Sequence, residues 1–207
     1  MTAPASGEPA DAEPLLEFRA VMRRLRAECP WKREQTHRSL ARYLLEETHE
    51  TLEAIDTGDA TGDWEHLREE LGDLLLQVYF HAVVAEESGA FTLDDVARGI
   101  TEKMRRRNPH VFGPAPGDTA LDATAVNEVW QAIKEREKPR GSATDGLPET
   151  LPALLYAAKV LERGAAASSE PAEPADLGER LLALVAEAVE AGVDPEQALR
   201  DAVRRHA

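Results

Sequence analysis

A single cysteine, Cys29, in 207 residues leaves no partner for an intrachain disulfide and no ligand set for a cysteine-based zinc cluster. It reads as a semi-buried thiol at a helix end. No apolar run reaches the roughly 18 to 20 residues that a membrane span requires, so no membrane partner is expected. Bases are scarce beside acids, 24 against 39, which gives a formal net charge of −15. Such a chain lacks the basic stripe with which a general nucleic-acid binder meets phosphates, so no nucleic acid polymer is expected as partner. Single nucleotides stay open, because a bound metal can supply the positive charge locally. Strand-like alternation of any length is missing as well, and the expected fold class is all-α.

Hydrophobic residues make up 43% and charged residues 30%, the balance of a packed soluble fold, and the length suits one domain with a small appendage. Residues 1–13 are rich in Ala, Pro and Glu, without a basic start or an apolar stretch. They read as a disordered tail rather than a signal peptide, and a cytoplasmic protein is expected.

Helical spacing of Leu15, Phe18, Val21, Met22 and Leu25 predicts a first helix from Pro14 to Glu28, with Pro30 closing it and Cys29-Pro30-Trp31 opening a loop. A second helix is expected from about Ser39, as N-cap, to Asp56, with Gly58 just past its end. A third, from about Asp63 to Ser88, carries an apolar stripe of Leu67, Leu71, Leu74, Leu75, Val78 and Ala82, with Glu70, Asp73 and Gln77 along its edge. Thr92 can cap a fourth running to about Arg107. Asn108 to Phe112 then leave the helix, and a fifth spans about Ala123 to Lys138. A shorter helix is expected from about Pro148 to Gly164 within a linker region, 139–174. In the last segment, 175–207, Asp176-Leu177-Gly178-Glu179 aligns weakly with Glu70-Leu71-Gly72-Asp73, and Gly192 then meets Gly89.

The acids are the most informative residues present. Glu47 and Glu50 lie three apart, as do Glu70 and Asp73, so each pair projects from one side of its helix. Like charges at this spacing cost a helix a few tenths of a kcal/mol per pair, a repulsion that a divalent cation would offset. Two such pairs on successive helices joined by a short turn would meet on antiparallel packing, as a hard-oxygen site suited to Mg²⁺ or Mn²⁺. Glu46-x-x-His49 has the form of a di-iron ligand pair, but such bundles need a second copy. The positions three before His66, His81 and His110 hold Asp63, Val78 and Arg107, so His49 reads as a surface bystander. The basic cluster Lys103, Arg105, Arg106 and Arg107 either complements a helix C-terminus or binds the phosphates of an anionic substrate. Trp31 and Trp130 serve either core packing or stacking on a nucleobase.

Taken in order, these elements resemble the MazG family of nucleoside triphosphate pyrophosphohydrolases, within the all-α NTP pyrophosphatase superfamily. They are Cys29-Pro30-Trp31 with Glu34-Gln35-Thr36, then Leu45-Glu46-Glu47-x-x-Glu50, Glu70-Leu71-Gly72-Asp73-Leu74-Leu75, Lys103-x-x-Arg106-Arg107-x-Pro109-His110-Val111-Phe112, and Trp130-x-x-Ile133-Lys134. The resemblance covers about 14–138 and departs at Lys32, where the family often has an acid. It implies a helical bundle in which Glu47, Glu50, Glu70 and Asp73 are the Mg²⁺ ligands. Lys103, Arg106 and Arg107 become phosphate contacts, and Trp130 with Lys134 nucleotide contacts. Glu46 or Glu47 would orient or deprotonate the attacking water. The implied reaction cleaves an NTP or dNTP between the α and β phosphates, giving the monophosphate and pyrophosphate, in nucleotide-pool housecleaning. The implied state is a homodimer or larger homo-oligomer. Residues 175–207 would then be a degenerate partial second copy, lacking the first acidic helix. The rival expectation is a non-catalytic helical interaction or dimerisation protein, and a ferritin-like di-iron protein is a third.

Overall fold

The computed structural model describes residues 13–113, 122–137, 141–164 and 176–206. Among the described residues there are ten helices and no strand. In chain order they are α1 (Pro14–Glu28), α2 (Pro30–Glu34), α3 (His37–Thr61), α4 (Glu65–Glu87), α5 (Leu93–Arg107), α6 (Pro109–Phe112), α7 (Ala123–Glu137), α8 (Ala153–Glu162), α9 (Leu177–Glu190) and α10 (Pro195–His206). The chain divides into two compact units, Met1–Asp118 and Thr119–Ala207.

In the first unit α3 and α4 form the principal pair. Their connection is short, and His37 meets His81 near one end while Gly58 meets Trp64 at the other, so the two helices run antiparallel. The core sits toward the start of α3. Met22 of α1, Leu40 of α3, and Tyr79, Phe80 and Val83 of α4 are buried together, flanked by Phe18, Leu25, Tyr43, Leu75 and Leu76. Arg23 and Arg26 of α1 each grip a glutamate near the end of α4, Arg26 Nε donating to Glu87 at 2.7 Å and Arg23 Nε to Glu86 at 3.0 Å. Arg26 also donates to the Gln35 carbonyl at 2.9 Å, which ties the entry of α3 to the same corner.

Several boundaries differ from the sequence reading. Pro30 does end α1, but it also occupies the first position of α2, where its missing N–H costs nothing. Thr36, not Ser39, caps α3; Ser39 is the third residue of the helix, and its hydroxyl completes a reciprocal capping box. That helix continues past Asp56 to Thr61, with Gly62 as its C-cap. Gly58 is buried inside it, and a Cβ there would stand 2.4 Å from the Trp64 ring. Asn108 to Phe112 turn into the short α6 rather than an irregular exit. The 148–164 helix is shorter, occupying Ala153–Glu162.

The expected core stripe of α4 is displaced. Ala82 of that stripe is buried and Leu75 packs on the core, but Leu71 and Val78 are 51% and 43% exposed, and the other buried positions are Gln77, Tyr79, Phe80, Val83 and Ala85. The helix is apolar on more than one side, and spacing alone does not choose between the sides.

In the second unit α8, α9 and α10 pack on one another around Ala158 and Val185. Asp176 is the N-cap of α9, its side chain accepting from the Glu179 amide at 2.9 Å.

Candidate functional site

The site is built by the middle turns of α3 and α4. Carboxylate oxygens of Glu47, Glu70 and Asp73 lie within 4.8 Å of one another. The antiparallel register produces this: Glu47 comes from α3, while Glu70 and Asp73 stand one turn apart on α4. Burial comes first among the causes that push the Glu47 carboxyl above its ordinary range. The charge of Asp73, the charge and hydrogen bonding of Glu50, and the charge of Glu70 add to it. Glu50 therefore interacts with Glu47 from the next turn of α3, although it is outside the tight triple. Glu46 is exposed and outside it too.

One participant escaped the sequence reading. His66 Nε2 lies 3.0 Å from Glu70 Oε1, and the Glu70 side chain is only 13% exposed. The contact orients Glu70 toward the cluster from the preceding turn of α4. Its signal was the spacing of four between His66 and Glu70, which is helix-neighbour spacing.

The other singled-out residues are on other helices, save His49. Lys103 and Arg106 are exposed on α5, whereas Arg107 is buried at its end, and none belongs to the carboxylate group. Trp130 and Lys134 are on α7 in the second unit, with the Lys134 ammonium 5.1 Å from the Trp130 ring centroid. Trp31 is half exposed, its ring edge-on to Tyr43 at 5.9 Å, so it packs on one side and is open on the other. His49 is exposed.

The donor set fits a hard divalent cation. Oxygens in an octahedral shell of radius about 2.1 Å are separated by roughly 3 to 4.2 Å, so small rotations of the three carboxylates would close on an ion. The Glu47 carboxyl, raised first by burial and then by the neighbouring charges of Asp73, Glu50 and Glu70, carries a negative charge that a cation would stabilise.

Fold and site together define an all-α protein with a carboxylate cluster at the centre of an antiparallel helix pair. Residues 35–112, which contain all of that cluster, match the MazG nucleotide pyrophosphohydrolase domain. The chain is 36% identical over 217 aligned positions to the nucleoside triphosphate pyrophosphohydrolase/pyrophosphatase MazG of Thermotoga maritima, covering 91% of this chain and 81% of that protein. It is 43% identical over 149 positions to the nucleoside triphosphate pyrophosphohydrolase of Escherichia coli, covering 69% of this chain and 54% of the relative. An uncharacterized Bacillus subtilis protein, YabN, is 48% identical over 147 positions, which are 69% of this chain and 29% of YabN. The chain thus spans most of one relative and only part of the other two. It belongs to the MazG family.

Proposed function

We propose that this chain is a nucleoside triphosphate pyrophosphohydrolase that depends on Mg²⁺, with Mn²⁺ as a substitute, and converts NTPs or dNTPs to monophosphates and pyrophosphate. The observation that carries the reading is the convergence of Glu47, Glu70 and Asp73 from two helices. The names of the Thermotoga and Escherichia relatives support the reaction.

In this reading Glu47, Glu50, Glu70 and Asp73 hold the cation, with His66 keeping Glu70 in place. Held there, a divalent ion would supply Lewis-acid charge to the α-phosphate and to the attacking water. Glu47, inside the cluster, is better placed than the exposed Glu46 to take the proton of that water. Lys103, Arg106 and Arg107 supply positive charge for the triphosphate, and Trp130 with Lys134 contacts the nucleotide. The catalytic segment is 14–138, and 175–207 is a degenerate partial copy.

Self-association as a homodimer or larger assembly belongs to the same reading. Leu45 and Leu52 of α3, Leu71 and Val78 of α4, and Val96 and Ile100 of α5 are all at least 39% exposed, more large apolar surface than a lone protomer ordinarily leaves in water. Among the described residues no helix is long and apolar enough to cross a membrane, and we place the enzyme in the cytoplasm, where it removes unwanted nucleotides.

The test is product analysis with Mg²⁺ on a panel of NTPs and dNTPs, beside a Glu50→Gln, Asp73→Asn double variant. Monophosphate and pyrophosphate from wild type, with none from the variant, is the expected result. Orthophosphate would move the cleavage position. No turnover from folded wild type would favour an interaction module.

A further inference from the structure

The α3–α4 interface holds a second polar group that the reaction above does not use. Gln77 is 3% exposed, and its Oε1 is buried without a hydrogen-bond partner. One turn further along α4, His81 Nε2 is likewise buried without a partner. The other side of that ring is engaged: His81 Nδ1 lies 2.8 Å from His37 Nδ1 of α3, with the two rings parallel to within 2°.

A buried polar atom left unbonded carries the full cost of its desolvation, and here two such atoms are four residues apart on one helix. Side chains at that spacing are neighbours on one helix face, and a single water can bond an amide oxygen and an imidazole nitrogen at once. Water can donate to the amide oxygen and either donate to or accept from the imidazole nitrogen, so both tautomers of the histidine pair are served. Glu70, Asp73, Gln77 and His81 follow one another at steps of three, four and four, along one face of α4. The network therefore begins one turn beyond the acidic cluster, and His37 ends it at the exposed start of α3.

We propose that Gln77, His81 and His37, joined through a water held between Gln77 Oε1 and His81 Nε2, form a positioning network that fixes the spacing of α3 and α4 at the acidic cluster and thereby sets its affinity for a divalent cation. The proposal rests on the reading of that cluster as a cation site. None of the three residues touches substrate; they act through Glu47 on one helix and Asp73 on the other. Partners that orient metal ligands from outside typically change metal affinity by about 10- to 100-fold when removed.

The experiment measures the Mg²⁺ concentration that half-saturates pyrophosphate release for wild type, Gln77→Leu, His81→Phe, their combination, and His37→Ala. Each of the first two substitutions is expected to raise it about 10-fold while turnover at saturating Mg²⁺ is preserved. The combination is expected to be no worse than either alone, because both remove the same water-mediated link. His37→Ala is expected to move it less, in the same direction. Unchanged Mg²⁺ dependence, loss of thermal stability alone, or additive effects in the combination would overturn the network. If the two buried substitutions prevent folding, His37→Ala at its exposed position still decides, since an unchanged Mg²⁺ dependence there overturns it. If wild type releases no pyrophosphate, the reaction is wrong. Thermal shift with Mg²⁺ on wild type and His37→Ala then tests the network independently of turnover.

Discussion

Two stretches of this chain spell acid-Leu-Gly-acid, and they do different work. Glu70-Leu71-Gly72-Asp73 lies inside α4, where both acids project toward Glu47 of the facing helix. Asp176-Leu177-Gly178-Glu179 straddles the start of α9, where Asp176 is used as the N-cap and Glu179 supplies the amide it binds. The same letters make a charge cluster in one place and a helix terminus in the other. The deciding factor is position within the helix: a first-turn acid is drawn to free amides, while a mid-helix acid has none and must find a partner elsewhere. Among the described residues, Asp176 and Glu179 belong to no carboxylate cluster of the kind that Glu70 and Asp73 form with Glu47. A family signature on one helix is thus a site only when the facing helix answers it.

The largest expected effect separates the two motifs by activity. Asp73→Asn should lower kcat/KM for NTP hydrolysis by about 100-fold or more, the scale of losing one preorganised electrostatic group of an active site, here a carboxylate proposed to hold the cation. Glu179→Gln should leave it unchanged. Equal losses in steady-state assays of the two purified variants would erase the distinction.

Next in size is the packing that brings α3 onto α4. Gly58→Ala would drive a methyl into the Trp64 ring, whose nearest carbon would be 2.4 Å away. Overpacking of this kind costs roughly 1–3 kcal/mol, to be read from urea denaturation midpoints. The second motif should instead be sensitive at its cap: Asp176→Ala is expected to cost about 1 kcal/mol in the same assay.

Titration sharpens the contrast further. The Glu47 carboxyl, held above its ordinary range by burial and by Asp73, Glu50 and Glu70, binds its proton more tightly folded than unfolded. Its contribution to metal-free stability is therefore fully present below the unfolded value near pH 4.3 and is lost as pH rises through the folded one. Without divalent cation, the stability of wild type relative to Glu47→Gln should fall as pH is raised through that window, and Mg²⁺ should restore it. Glu47→Gln should flatten the profile and raise the metal-free melting temperature while abolishing turnover. A difference between wild type and Glu47→Gln that does not change with pH would contradict this.

Much of the arrangement was legible in the sequence because helical spacing reports side-chain direction directly. The spacing of Glu47 with Glu50 and of Glu70 with Asp73, with a short connection, implied that the two pairs would meet; Glu47, Glu70 and Asp73 do lie together, while Glu50 stands outside the triple. What spacing did not carry was anything decided between helices. Leu71 and Val78 fit an apolar stripe as well as Phe80 and Val83 do, yet only the latter meet α1. The His37–His81 contact joins residues 44 apart, with no local trace. Proline misled for a different reason: at Pro30 it stops one helix and starts another, and the stop is the louder signal.

The smallest expected effect concerns the glycines inside the two motifs. A Cβ on Gly72 would meet no atom within 4 Å, whereas one on Gly178 would stand 3.1 Å from Asp176 Oδ1, the oxygen that caps α9. Glycine inside a helix forfeits about 0.5–1 kcal/mol relative to alanine. Gly72→Ala should accordingly raise the unfolding free energy of the protomer by that amount. In Gly178→Ala the methyl presses on the capping carboxylate, and the gain should shrink toward zero. A stabilised Gly72→Ala that has lost turnover or self-association would show that the open side of this turn is used by substrate or by a second copy, a reason for keeping a glycine between Glu70 and Asp73. A fully active, stabilised variant would show that the glycine serves neither.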